Sequence, residues 1–305
     1  MPYPAPSKTM RPTCKARGRM MRSYPFWLLI FVLFIQIKML ASFCRRAYRK
    51  VTGHKPDHFD TTVPRQIPKT VWMYWDAGES SAPELVQMCI ASWRIMNPTW
   101  DVTVLDASTA GNMVDMPIGA TDIPVQSYAD LLRLRLLRQM GGVWADATTY
   151  CVQPLDCWLP LVAQRGFFAF TWTPTDRWFI WPGVRRSLTN WFLASETQGE
   201  IISQWEMYSF AYWENRKKPH IYFWPHLLFE VLTLLRVRFR KSYASIPKIG
   251  CYGSHIVHDC VTRSRDEGIV RKVLLSGVAP VQKLRWDWSD EQVERAKMLL
   301  SNQTI

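Results

Sequence analysis

The apolar positions along the chain change period several times, and each change marks an element. "IPKTVWMYW" (67–75) is a short apolar run between Pro68 and Gly78, which predicts a buried strand. "ELVQMCIASWRIM" (84–96) spaces its apolar residues as one helix face, with Pro83 suited to the first turn and Asn97 and Pro98 to the end. "WDVTVLD" (100–106) returns to strand. Strand, helix, strand in that order implies a right-handed parallel crossover. The stretch 107–125 is rich in Gly, Pro, Asp and Thr and is predicted to be irregular. Ser127 then opens a helix through "ADLLRLRLLRQM", with Ser127 and Asp130 at capping-box spacing, and Gly141 and Gly142 stop it before a third strand, "VWADA".

Beyond Pro154 the aromatic runs "GFFAFTW" and "RWFIW" predict strands, while "SLTNWFLASETQ" and "EIISQWEMYSFAYWENRKK" predict helices. No internal repeat is present. The pattern is that of an α/β domain with a mostly parallel central sheet. Around it the chain divides into a basic tail (1–23), an apolar segment (24–44), a basic and polar linker (45–66), a globular domain (67–290) and a C-terminal helix and tail (291–305).

Composition refines this picture. The 305 residues are 48% hydrophobic and 21% charged, a globular balance, and their 16 tryptophans suit an interface with lipid or with flat sugar faces. The formal net charge is +13, but the basic residues do not alternate with aromatics along a stripe, so nucleic acid is not an expected partner. They gather instead at Lys8, Arg11, Lys15, Arg17, Arg19 and Arg22, before "YPFWLLIFVLFI", and at Arg45, Arg46, Arg49 and Lys50 after it. That arrangement predicts membrane attachment. The apolar run ends at Ile35, short of the ~20 residues a spanning helix needs. It reaches Cys44 as an anchor, with Lys38 snorkelling, or lies in the interface, or is a cleaved signal peptide, although no clear small-x-small site follows it; the balanced flanks give no orientation. Seven cysteines without a C-x-x-C pair exclude a metal knuckle and a dense disulfide framework, and the sole sequon is at Asn302, so a reducing compartment is expected.

The helix before Gly141 holds an unusual residue. At ~100° per residue Arg133 falls among Leu132, Leu136, Leu137 and Met140, while Arg135 and Arg138 point the other way. A guanidinium on an apolar face needs an anion, and Asp130 is the nearest one in sequence. Asp146 closes the third strand, at the edge where parallel α/β sheets bind ligands. The plainer alternative is that Asp130 caps, Arg133 pairs with it and Asp146 begins a turn.

Together "IPKTVWMYW", "NPTWDVTVLD" and "YADLLRLRLLRQMGGVWADAT" resemble three ordered blocks of the DXD-containing glycosyltransferases, in particular the capsular polysaccharide synthesis proteins and the initiating mannosyltransferase of yeast outer chains. The resemblance covers about Ile67 to Asp156. It departs at Ala129, where the wider family often has Ser, and at Thr148, which stands at the second acid of D-x-D.

What this resemblance implies is a GT-A type fold and transfer of a hexose from a nucleotide-diphosphate sugar to a growing surface or capsular polysaccharide, or to a lipid-linked acceptor. A divalent cation, Mn²⁺ or Mg²⁺, would neutralise the leaving diphosphate. Asp146 would be its certain ligand, Thr148 a neutral one, and a distant third would come from "GSHIVHD", where His255, before His258 or Asp259, is the choice; ordinary loop polarity is the other role for the two histidines. Asp130 and Arg133 would line the donor side, and Asn190 in "TNWFLAS" would sit on a later helix near donor or acceptor hydroxyls. Trp72 and Trp75 flank Tyr74 on the first strand and are placed on one face of the sheet, where one would stack on the base; filling the core is the other role for either. The expected location is the cytosolic face of a bacterial inner membrane, or a type II arrangement in the Golgi. Two competitors are a nucleotidyltransferase or phosphatase, which would show more carboxylates near Asp146, and an inactive, membrane-tethered interaction protein.

Overall fold

The computed structural model describes residues 14–52, 65–172, 187–263 and 266–301. The described residues fall into two compact units, residues 14–52 and the described residues from 65 to 301.

In the first unit α1 (Cys14–Thr52) is one helix that contains the apolar run and continues past Cys44 into the predicted linker. Leu29, Leu33, Ile37, Leu40 and Phe43 are exposed along it. Among the described residues no helix is long and apolar enough to cross a membrane. Most of the expected basic tail (1–13) and most of the linker (53–64) lie outside the described residues.

The second unit begins with β1 (Thr70–Tyr74), α2 (Glu84–Met96) and β2 (Asp101–Leu105), the crossover the pattern predicts. A short helix, α3 (Ala110–Met113), interrupts the irregular stretch before α4 (Val125–Gln139) and β3 (Gly142–Ala145). There follow β4 (Thr149–Cys151), α5 (Leu155–Val162), β5 (Phe167–Ala169), β6 (Phe192–Ser195) and α6 (Glu200–Trp213). The chain ends with α7 (Trp224–Leu235), α8 (Val237–Ser245), α9 (Ile256–Arg263), α10 (Glu267–Leu275), β7 (Val281–Lys283) and α11 (Asp290–Ser301).

The main sheet has the order β2-β1-β3-β6-β5; its β1 pairs are parallel and both β6 pairs antiparallel, so β6 alone runs against the other four strands. Successive side chains of β1 and β3 go to opposite faces. Trp72, Tyr74 and Trp144 join Leu131, Leu132, Ile202 and Trp205 under α4 and α6. Val71, Met73 and Val143 join Val86, Ile90, Trp93 and Leu159 under α2 and α5. Because both faces are covered, β3 and β6 are buried at every position, while the edge strand β2 keeps Asp101 exposed.

Two expectations fail for identifiable reasons. "SLTNWFLASETQ" is not a helix: its centre is β6, between β3 and β5, with Phe192 to Ser195 all buried. A short run apolar on every position suits a central strand equally well, and the neighbouring strand edges decide. The capping box is also absent. α4 starts at Val125 behind Pro124 with no side-chain cap, so Ser127 lies inside the first turn and Asp130 is released for tertiary contacts. The run "RWFIW" lies outside the described residues.

Where α4 ends, Gly141 and Gly142 both take positive φ, 69° and 97°, and turn the chain directly into β3. A Cβ on Gly142 would lie 2.6 Å from the Thr70 carbonyl oxygen, so glycine is required by space as well as by conformation. After β3 a tight turn, closed by the Thr149 N–H donating to the Asp146 carbonyl at 2.8 Å, carries the chain into a second small sheet of β4 and β7. This antiparallel pair sets Lys283 opposite Thr149.

Candidate functional site

The three adjacent parallel strands β2, β1 and β3 each run out into an acid: Asp76 after β1, Asp106 after β2, Asp146 after β3. This is the carboxyl edge, where a doubly covered sheet leaves a crevice. Asp106 is engaged locally. Its Oδ1 accepts from the Ser108 and Thr109 hydroxyls and N–H groups, led by Ser108, which holds its carboxyl down to about 2. Asp76 accepts the Tyr74 hydroxyl at 2.5 Å; burial first, and this carboxylate second, push that phenol well above its ordinary range.

Asp146 is held from several sides. Its N–H donates to the Trp191 carbonyl at 2.9 Å, which ties the β3 end to the residue before β6. Its Oδ1 accepts the Trp144 indole N–H at 2.9 Å and lies 3.5 Å from Arg133 Nη2, while its Oδ2 lies 3.3 Å from Lys283 Nζ. Burial works to raise this carboxyl, but Lys283, Arg133 and the indole outweigh it and hold it below its ordinary value.

Arg133 is 7% exposed and engages all three of its nitrogens. Nε donates to the Ala129 carbonyl at 3.2 Å, Nη1 donates to the Asn190 carbonyl, and Nη2 bridges Asp130 at 3.1 Å and Asp146 at 3.5 Å. Its plane also lies over the Trp144 ring, 4.9 Å from the centroid. Asp130 in turn accepts the Asn190 amide at 2.9 Å. Burial pushes its carboxyl up to about 7, with Arg133 opposing and Asp146 adding to the rise.

Asp130, Arg133, Asp146 and Asn190 are thus one group joined by hydrogen bonds and ion pairs, although they come from a helix, a strand end and a loop. Asn190 reaches it from the approach to β6, not from a helix. Thr148 joins through Lys283, whose ammonium donates to its hydroxyl. His255 does not join. It is buried in the turn before α9, its Nδ1 donating to the Cys251 carbonyl at 2.9 Å and its ring packed against Trp172 and Trp191. Burial pushes its pKa down to about 4, so the imidazole is neutral.

The two tryptophans separate as well. Trp72 is buried under α4 and α6 with its indole N–H donating to the Gly141 carbonyl at 2.8 Å, so its ring is core. Trp75 lies beyond the strand end, packs towards the opposite face and meets exposed Trp286 edge-on at 6.3 Å. Three residues apart, the two cannot share a face of an extended strand, and the one-face placement is corrected accordingly. Arg135 does not point into solvent either. Its Nε lies 2.8 Å from Oε1 of Glu206 on α6, and Arg138 holds the other oxygen at 3.1 Å.

A divalent cation fits this group poorly. Hard cations require several anionic or carbonyl oxygens, whereas Asp146 already faces two cationic side chains, Arg133 and Lys283, and Thr148 offers an oxygen that already accepts from the same Lys283. Among the described residues no three His, Cys, Asp or Glu side chains converge to hold a metal.

Lys283 is the residue that sequence reasoning passes over. Its signal is a single Lys closing the buried run "VQK" beside Val281 and Gln282, visible only once β7 is paired with β4.

The profile described as "Capsular polysaccharide synthesis protein" matches residues 38–302, well over half of the chain. Among curated proteins, O-glycosyltransferase braB of Annulohypoxylon truncatum is 28% identical over 162 residues, covering 48% of this chain and 38% of its own. Glycosyltransferase afumC of Aspergillus fumigatus is 36% identical over 107 residues, covering 30% and 27%. O-glycosyltransferase PaGT of Phomopsis amygdali is 23% identical over 226 residues, covering 67% and 54%. The chain therefore spans between about a quarter and about half of the length of these relatives. A profile match of that extent, over a chain whose partly buried Asp130 and Asp146 meet the buried Arg133 at the carboxyl edge of the sheet, places it: the chain belongs to the capsular polysaccharide synthesis protein family.

Proposed function

We propose that the protein is a hexosyltransferase that takes a sugar from a nucleotide-diphosphate donor and places it on a hydroxyl of a growing surface glycan. The observation that carries this reading is the partly buried group of Asp130, Arg133, Asp146 and Asn190 at the carboxyl edge of three parallel strands, where fixed hydrogen-bonding groups can orient a polyhydroxyl ligand. The names of the fungal relatives, two of them O-glycosyltransferases, support an oxygen acceptor. Asp130 and Asn190 would meet donor hydroxyls, and Trp75 with Trp286 would offer flat apolar rings to the base or a sugar face.

The exposed apolar residues of α1, followed by Arg45, Arg46 and Lys50, support attachment in a membrane interface, each basic residue contributing about 1 kcal/mol on anionic lipid. A catalytic unit fed by cytosolic nucleotide sugars would face the cytosol of a bacterial inner membrane; a type II Golgi enzyme is the arrangement for a secretory pathway.

The test is release of nucleoside diphosphate from a panel of nucleotide sugars without acceptor, run with chelator and with Mn²⁺, alongside thermal unfolding of the same mixtures. One donor should stabilise the protein and be slowly hydrolysed, and Asp146→Asn should abolish hydrolysis while still unfolding cooperatively. If no nucleotide sugar stabilises the protein or is cleaved under either condition, the proposal fails.

A further inference from the structure

The position that D-x-D assigns to a second acid is occupied here by Thr148, and a cation already stands beside it. Lys283 Nζ donates to the Thr148 hydroxyl and lies 3.3 Å from Asp146 Oδ2. The ammonium thus sits between the two side chains that would jointly hold a divalent ion. It is held there by backbone pairing, since Thr149 and Lys283 are opposed in the β4–β7 ladder and the Leu284 N–H donates to the Thr148 carbonyl at 2.9 Å. Relative to an acid pair, Thr148 removes one negative charge and Lys283 adds one positive charge at the same place. That is the substitution expected where a fixed side-chain charge takes over from a bound ion.

Resting on the transferase activity proposed above, we infer that Lys283 takes the place of the divalent cation, and that its ammonium, flanked by Arg133, receives the diphosphate of the donor. An ammonium has three protons to donate. One is given to Thr148 and one is directed at Asp146, which leaves the third for a phosphate oxygen, and the side chain is partly open to solvent. Arg133 adds a second positive charge on the far oxygen of Asp146. In the transfer the bond between sugar C1 and the β-phosphate oxygen breaks and its electron pair stays on that oxygen. The acceptor hydroxyl oxygen forms the new bond to C1, and its proton leaves on the diphosphate. Lys283 stabilises the charge that collects on the leaving oxygen.

The experiment uses the full chain, with inorganic pyrophosphate, uridine diphosphate and guanosine diphosphate as probes, titrated calorimetrically in excess chelator and again with Mn²⁺. At least one diphosphate should bind in chelator, with no gain from Mn²⁺. Lys283→Gln should weaken that binding roughly 10- to 100-fold, the range of one charge-assisted hydrogen bond, while Lys283→Arg retains most of it. The paired change Lys283→Ala with Thr148→Asp restores an acid pair and should make diphosphate binding depend on Mn²⁺; it also keeps the test open if Lys283→Gln folds poorly. Binding that appears only with Mn²⁺ in the wild type, or a Lys283→Gln protein that binds as the wild type does, would overturn the role of Lys283 and leave the transferase proposal standing. Absence of diphosphate and nucleotide-sugar binding under both conditions would overturn the two together.

Discussion

Asp130→Asn replaces a mostly covered acid with a neutral side chain of the same shape and isolates the effect of its charge on folding. In the native protein burial lifts the Asp130 carboxyl from 3.8 to about 7, after the opposing pull of Arg133 is included. The folded value lies above the unfolded one, so between them the folded state holds a proton that the unfolded state has lost. Stability from this group therefore falls as pH rises through that window and is lowest at and above neutrality. At ~1.4 kcal/mol per pH unit the span amounts to about 4 kcal/mol, and the side chain is only 12% exposed, so solvent screening takes little from it. Asp146 titrates with the opposite sign, because its folded value is depressed and its contribution is lost in acid. That contribution is common to both proteins and cancels to first order in the difference. Urea unfolding followed by tryptophan fluorescence across pH 4 to 8 gives the measurement. Wild type and Asp130→Asn should be nearly equal near pH ~4 and diverge in favour of the variant by up to about 4 kcal/mol at neutrality. A difference that does not change with pH, or a wild type that gains on the variant as pH rises, would refute the argument.

Arg135→Ala should cost about 3 kcal/mol or more, because Glu206 is 2% exposed and would lose its nearer partner, whereas Arg138→Ala, at a 43% exposed side chain, should cost under about 1 kcal/mol; equal urea midpoints for the two variants would contradict this. Gly142→Ala combines a left-handed φ with a backbone contact at 2.6 Å, and a loss of about 2 kcal/mol or more is expected from its thermal unfolding. Trp72→Phe should lower stability by about 1 kcal/mol through the lost bond to Gly141 and leave donor binding intact, while Trp75→Ala should weaken donor binding with little change in melting temperature.

The local part of this architecture is legible along the chain because it depends on neighbours in sequence. Apolar periodicity marks β1, α2, β2, α4 and β3 in order, and the parallel crossover then puts Asp146 at the carboxyl edge. The wheel puts Arg133 on the buried face of α4, where an unpaired guanidinium would be too costly, and an acid partner follows from that alone. What depends on a distant strand or helix is not written locally. "NWFLAS" is apolar on every position and becomes a strand only because β3 and β5 offer their edges. Arg135 lies opposite Arg133 on a helix wheel, yet Glu206 on α6 draws it in, so its burial is decided by packing between two helices. His255 shares a residue type with metal ligands, but Cys251 and two tryptophans hold it in the core. Lys283, 135 residues from Thr148, comes to its hydroxyl through a three-residue ladder. By itself the sequence determined that Arg133 would be buried, since the helix period sets which side chains of α4 leave solvent; which charges answer it, and that Arg135 and Glu206 are drawn in as well, was decided only by tertiary structure, because counter-ions are chosen by distance in space and not along the chain.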